Sequence, residues 1–358
     1  MKVIRVISSS IIFLGLSASV CLADNSAQFR SQLEPDSLED IFIAKAMSYT
    51  YIDSFQAAIA CIESLIAVDS DYWPAYVIKA GIVYVEMTDD ERYDQKKHFK
   101  ALIDTSLTGL DEHLKYHPED KWALFFKGTA LGYDAIWEGQ HGSWFKAVTK
   151  GLKAGKYFSK AVKKDTLFYE AYVGLGTLHY WRSAKLGILR KLPFISDKRQ
   201  QGIDELKKAM EKSRYSSTAA AIGLGWIYIN RKEYPKAIAI ADELIARGNG
   251  GRQTLWLRAI ANFNRGNING IIRDFTLIRE GLVRKGNQNY YNLIICNYCL
   301  GVAYYLKGDD KTALDYFNEM LSWELSSEIA KRAAKKLKSA RKYKKRIAKK
   351  EKLQNPEG

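Results

Sequence analysis

Cysteine and proline are scarce in this chain, with 4 and 6 among 358 residues. Four cysteines cannot staple a fold of this length, so a disulfide scaffold is excluded. Low proline beside 47% apolar residues excludes long disorder and collagen-like structure. Past the N-terminal stretch no run approaches the ~18 apolar residues a spanning helix needs, so the mature chain is expected to be soluble. Motifs that carry chemistry are missing too. There is no serine nucleophile elbow, no phosphate-binding glycine loop and no metalloprotease helix motif. The five histidines, His98, His113, His117, His141 and His179, are scattered. His113 and His117 share a helical face but lack a third ligand. Cys296-Asn297-Tyr298-Cys299 has redox spacing, yet it sits inside a helical pattern with no strand before it. Buried or half-buried thiols are the expectation there. No enzyme activity, cofactor or metal is expected.

The ends of the chain carry its distinctive charge. Residues 1–23 read as a secretory signal peptide: Lys2 and Arg5, an apolar middle from Ile11 to Leu16, then Cys21-Leu22-Ala23 before Asp24. Acylation at Cys21 would need a small residue before it, and Val20 is a poor fit. The expected location is therefore the periplasm or the periphery of the cell envelope of a bacterium, with a lipoprotein form less favoured. The formal net charge is +15, of which residues 328–358 hold +10 and residues 24–327 only +3. For an exported protein such a tail suits anionic lipid, glycan or acidic protein, and nucleic acid is not expected.

Helical periodicity dominates from Leu38 onward, and certain residues recur. Leu-Gly pairs stand at 175–176, 224–225 and 300–301. Ala58, Ala154, Ala237 and Ala313, with Gly202 as a variant, are followed one turn later by Ile62, Phe158, Ala241, Phe317 and, after Gly202, Leu206. Tyr228 to Ile238 and Ala303 to Leu314 repeat one pattern around a turn. This pattern resembles the tetratricopeptide repeat, a helix–turn–helix of about 34 residues. The resemblance covers roughly residues 39–327 and implies an all-α solenoid of about seven repeats. Those at 39–72, 218–251, 252–285 and 294–327 have the usual length. Those at 73–120, 121–168 and 169–216 are lengthened to 48 residues, about two more turns per helix. The expected organisation is then a signal peptide at 1–23, a lead segment at 24–38, the array at 39–327, and a basic capping helix and tail at 328–358.

In tetratricopeptide folds the first helices line a concave surface. That resemblance assigns Tyr84, Phe125, Tyr133, Tyr180, Trp181, Trp226, Trp256, Phe263, Tyr298 and Tyr305 to an aromatic groove for a protein segment. The Lys/Arg/Asn clamp of chaperone-tail binders is absent, because the matching positions are apolar or aromatic. A second surface is expected at the turns of repeats three and four, where Trp137, His141, Trp144, Lys185, Arg190 and Lys191 would form a basic, aromatic crest able to touch a membrane or a glycan. The expected function is a non-enzymatic interaction scaffold. The alternative is a lipid- or glycan-associated envelope factor acting through the crest and the tail.

Overall fold

The computed structural model describes residues 37–91, 93–185, 196–286 and 290–354. The signal-peptide reading, Arg190, Lys191 and the turn of repeat four up to Ile195 lie outside them. Fifteen helices and no strand occur among the described residues. Helices pack in consecutive pairs, with the last laid across the two before it, and the chain divides into two compact units.

The first unit holds residues up to Glu86 and Asp94–Gly251. Its helices are α1 (Leu38–Tyr51), α2 (Phe55–Val68), most of α3 (Trp73–Asp90), α4 (Lys96–Tyr116), α5 (Lys121–Gln140), α6 (Trp144–Lys164), α7 (Ala171–Lys185), α8 (Arg199–Lys212), α9 (Ser217–Asn230) and α10 (Tyr234–Ala246). The α3–α4 and α5–α6 hairpins are the lengthened ones, with helices of 18 to 21 residues. In the third expected long hairpin, 15 residues of α7 and 14 of α8 are described, and positions 186–195 between them lie outside the described residues.

Small residues set the helix spacing. A Cβ on Gly176 would lie 2.6 Å from the Gly202 carbonyl oxygen, and one on Gly202 2.5 Å from that of Gly176. Only glycine at both positions lets α7 and α8 approach this closely. Ala58, Ala154 and Ala237 are buried at the matching contacts, with Ile62, Phe158, Leu206 and Ala241 beneath them. The first unit also closes on itself. Asp40 of α1 accepts hydrogen bonds from the Arg214 guanidinium and the Tyr215 hydroxyl, just before α9. Glu170 accepts from the backbone N–H groups of Arg214 (2.7 Å) and Tyr215 (3.3 Å), and the Gly251 N–H donates to the Tyr51 carbonyl at 2.8 Å.

The second unit is Met87–Tyr93 with Arg252–Gly358. It contains α11 (Arg252–Arg265), α12 (Ile268–Arg284), α13 (Tyr290–Lys307), α14 (Asp310–Ser322) and α15 (Ser327–Gln354). Gly301 of α13 abuts the Phe317 ring of α14, where a Cβ would come within 2.5 Å. Arg252 grips Asp89 through Nε and Nη2, and Arg332 grips both Glu91 carboxylate oxygens at 2.9 Å. α15 covers α13 and α14 with Ala333, Leu337, Ala340 and Ile347.

Candidate functional site

Most rings assigned to a concave groove are core residues. In the first unit Tyr84 and Tyr133 are buried against each other at 5.8 Å, and a Cβ on Gly81 of α3 would strike the Tyr133 hydroxyl. Phe125 packs against Trp122, Phe158 and Phe168. Tyr180 is buried and donates to the Asn230 Oδ1 at 2.7 Å. Trp226 is buried, and its Nε1 has no hydrogen-bond partner among the described residues. In the second unit Trp256 packs edge-on against Phe275, and the Tyr298 hydroxyl lies 3.1 Å from that of Ser339. These seven rings, Tyr84, Phe125, Tyr133, Tyr180, Trp226, Trp256 and Tyr298, therefore do not line an open groove. The reason is the all-round burial of first helices. Eleven consecutive residues of α9, Thr218–Tyr228, and twelve of α13, Asn292–Ala303, are buried. Trp181, Phe263 and Tyr305 keep partial exposure.

Candidate catalytic and metal groups are likewise engaged in structure. Cys296 and Cys299 lie in the core of α13, and burial pushes both thiols well above the usual range. His113 Nε2 lies 2.8 Å from Asp120, its ring 4.8 Å from that of His117. His179 Nδ1 meets Glu205 at 2.7 Å. Among the described residues no group of three or more His, Cys, Asp or Glu is placed to hold a metal ion.

The crest is where the structure leaves an accessible concavity. The far end of the α5–α6 hairpin forms an apolar cleft of about 450 Å³ against α7. Ile136, Ala147, Val148, Leu152, Leu178 and Trp181 line it, with Arg182 and Lys185 beside them and no carboxylate among the described lining residues. The α5–α6 hairpin is braced beside this cleft. Lys150 reaches Asp134 at 2.5 Å and Glu138 at 3.2 Å, and Lys100 contacts the same two carboxylates. Burial alone would raise the Glu138 pKa, but hydrogen bonds from Lys100 and Lys150 outweigh it and bring it down to about 2.

Of the expected crest residues, Trp144 is exposed and Lys185 stands 4.4 Å above its ring. His141 is exposed and stacks at 3.9 Å on Trp137, but Trp137 itself is buried and contributes only support. The sequence reading missed Phe145, 85% exposed, together with Val148, Leu152, Arg182 and the cleft glycines. A signal was available. α6 carries seven lysines and no acid, with Trp144, Val148 and Leu152 four apart on one face.

No protein-family model matches the chain, and no curated protein matches it. Among solved structures it is similar to the APC/C hetero-tetramer Cut9–Hcn1, at 16% identity and a TM-score of 0.53 over 90% of this chain and 55% of that one. It therefore spans little more than half of that chain. YrrB, described as a TPR protein with an unusual peptide-binding site, matches at 15% identity and a TM-score of 0.43, over 63% of this chain and 97% of that one. A tetratricopeptide repeat protein from Parabacteroides merdae matches at 13% identity and a TM-score of 0.41, over 84% and 99%. The paired helices, the glycine and alanine contacts at the repeat positions, and the likeness in fold together make this a chain with the tetratricopeptide-repeat fold.

Proposed function

We propose that the chain is a non-enzymatic protein-interaction scaffold of the bacterial cell envelope, exported by its N-terminal signal, and that an acidic protein docks on α15. The observation that carries this reading is the face of α15. Its apolar stripe is spent on α13 and α14, yet the helix holds 13 basic residues and two acidic ones. Arg332 and Lys350 are used in pairs with Glu91 and Asp310. Lys331, Lys335, Lys338, Arg341, Lys342, Lys345, Lys349 and Lys352 are exposed, with no carboxylate partner among the described residues. A cap needs a polar outer face but not a uniformly positive one. Such a field steers an acidic partner and speeds its encounter.

The test is a photo-crosslinking residue at Lys338 or Lys345 in the full chain, in envelope extract at low and high salt. One acidic protein crosslinked at low salt and released by salt supports the reading. Crosslinking that is unspecific, or unchanged by Lys→Glu substitutions along α15, overturns it.

A further inference from the structure

The cleft at the end of the α5–α6 hairpin has properties that packing does not explain. Deeper glycines there serve close approach: a Cβ on Gly155 would strike Leu178 at 2.3 Å, and one on Gly174 would strike Phe158 at 2.2 Å. The outer ones do not. Among the described residues, a Cβ on Gly151 would meet the Ala135 Cβ alone, at 4.0 Å, and one on Gly139 the Ala147 Cβ alone, at 3.4 Å. Glycine within a helix costs about 0.5–1 kcal/mol relative to alanine. At Gly151 that cost maintains empty, apolar space.

The cleft's border is unusual in the same direction. Trp144, Phe145, Val148 and Leu152 are all exposed on one side of α6, Phe145 at 85% and Trp144 at 56%. Lysines flank that strip on the same helix, and Lys146, Lys153 and Lys156 are exposed there. At the α7 side stand Arg182 and Lys185, neither with a carboxylate partner among the described residues. The apolar surroundings lower the Lys185 pKa. An apolar strip bordered by cations on both sides complements an interface whose interior is hydrocarbon and whose surface is anionic. The lining favours a hydrocarbon chain over an extended peptide. A buried peptide brings N–H and C=O groups that need partners, whereas most of the described lining side chains are apolar. A hydrocarbon chain needs none. No helix among the described residues is long and apolar enough to cross a membrane.

We propose that this cleft is a lipid site: it takes one acyl chain of an anionic phospholipid in a bilayer, with Arg182 and Lys185 against the headgroup and Trp144 and Phe145 seated in the interface. The proposal goes beyond the scaffold reading and is independent of it, since that reading uses α15 alone.

The experiment adds full-length protein to vesicles of phosphatidylcholine with or without phosphatidylglycerol, acyl chains brominated, and records tryptophan quenching. Quenching is expected with the anionic vesicles, weaker at high salt and with neutral ones. Trp144→Phe should lose part of the quenching, the remainder coming from Trp181, which also lines the cleft. Gly151→Leu fills the cleft and should weaken binding about tenfold, the equivalent of burying less than one side chain. Because an enlarged side chain could disturb the hairpin, Arg182→Gln with Lys185→Gln, both at exposed positions, provides a second test and should weaken binding by a similar factor. Affinity unchanged in both cleft variants would mean that α15 or the apolar N-terminal stretch holds the vesicle, and overturns the proposal. So does full quenching in Trp144→Phe, or no binding to anionic vesicles.

Discussion

Arg258→Met should destabilise the second unit by about 3 kcal/mol, and adding Asp274→Leu should restore most of the loss. Asp274 of α12 is fully buried. Arg258 of α11 donates to it through Nε at 3.1 and 3.2 Å and through Nη2 at 2.8 Å. Removing one member of a buried pair leaves a charge in a poorly polarisable interior, typically at a cost of about 3–5 kcal/mol. Here Asn262 Nδ2 at 2.9 Å and Arg273 Nε at 2.8 Å still reach the carboxylate, which places the cost at the low end of that range. Replacing both partners by apolar side chains removes the buried charge and leaves only the Asn262 Nδ2 without its acceptor, so the double variant should lie within about 1.5 kcal/mol of the parent, a coupling of roughly 2 kcal/mol or more. The assay is native-state hydrogen exchange at amides of α11 and α12, because a chain of two units need not melt in one step. Arg258→Met should speed exchange there about 100-fold, the equivalent of about 3 kcal/mol. A double variant as unstable as the sum of the singles, or a single costing under about 1 kcal/mol, would refute the reasoning.

Acid should loosen the α5–α6 hairpin. The Glu138 pKa falls to about 2 from an ordinary value near 4.5, so its stabilisation is present above about pH 4.5 and fades as pH drops towards 2. With solvent screening this amounts to about 2 kcal/mol, and Glu138→Gln should flatten stability against pH over that window in urea titrations. Gly151→Ala should raise stability by about 0.5–1 kcal/mol, since among the described residues its Cβ meets only the Ala135 Cβ, at an ordinary contact distance of 4.0 Å. Gly174→Ala should lower it by about 1–3 kcal/mol through collision with the Phe158 ring; urea midpoints of the two variants compared with the parent check the opposite signs. Cys296 and Cys299, fully buried with raised pKa values, should resist a thiol reagent in the native protein and react at the unfolding rate, while partly exposed Cys61 reacts first in mass-spectrometric mapping.

The hairpin fold was legible in the residues because its determinants are local. Leu175-Gly176 and Leu300-Gly301 mark where paired helices touch, and Ala58, Ala237 and Ala313 mark the facing side. Turns followed the same logic: Gly139 to Ser143 stands at the bend between α5 and α6, and Asp309 caps α14 by accepting from the Thr312 N–H at 3.0 Å. A helix needs only its own 3.6-residue pattern and its neighbour a few residues away, and both are written along the chain.

Which faces stay open depends on contacts far apart in sequence, and no periodicity reports those. Tyr84, Tyr133 and Trp226 occupy positions that a generic repeat would turn towards a groove, but here they are buried. α1 meets the connection before α9 across more than 170 residues, through Asp40, Arg214 and Tyr215. Conversely, Phe145 and Val148 look like core residues by composition and stand exposed on α6. Helix identity and pairing come from short-range sterics that every residue carries with it. Exposure comes from how hairpins of unequal length stack, which is settled only when the whole chain has folded.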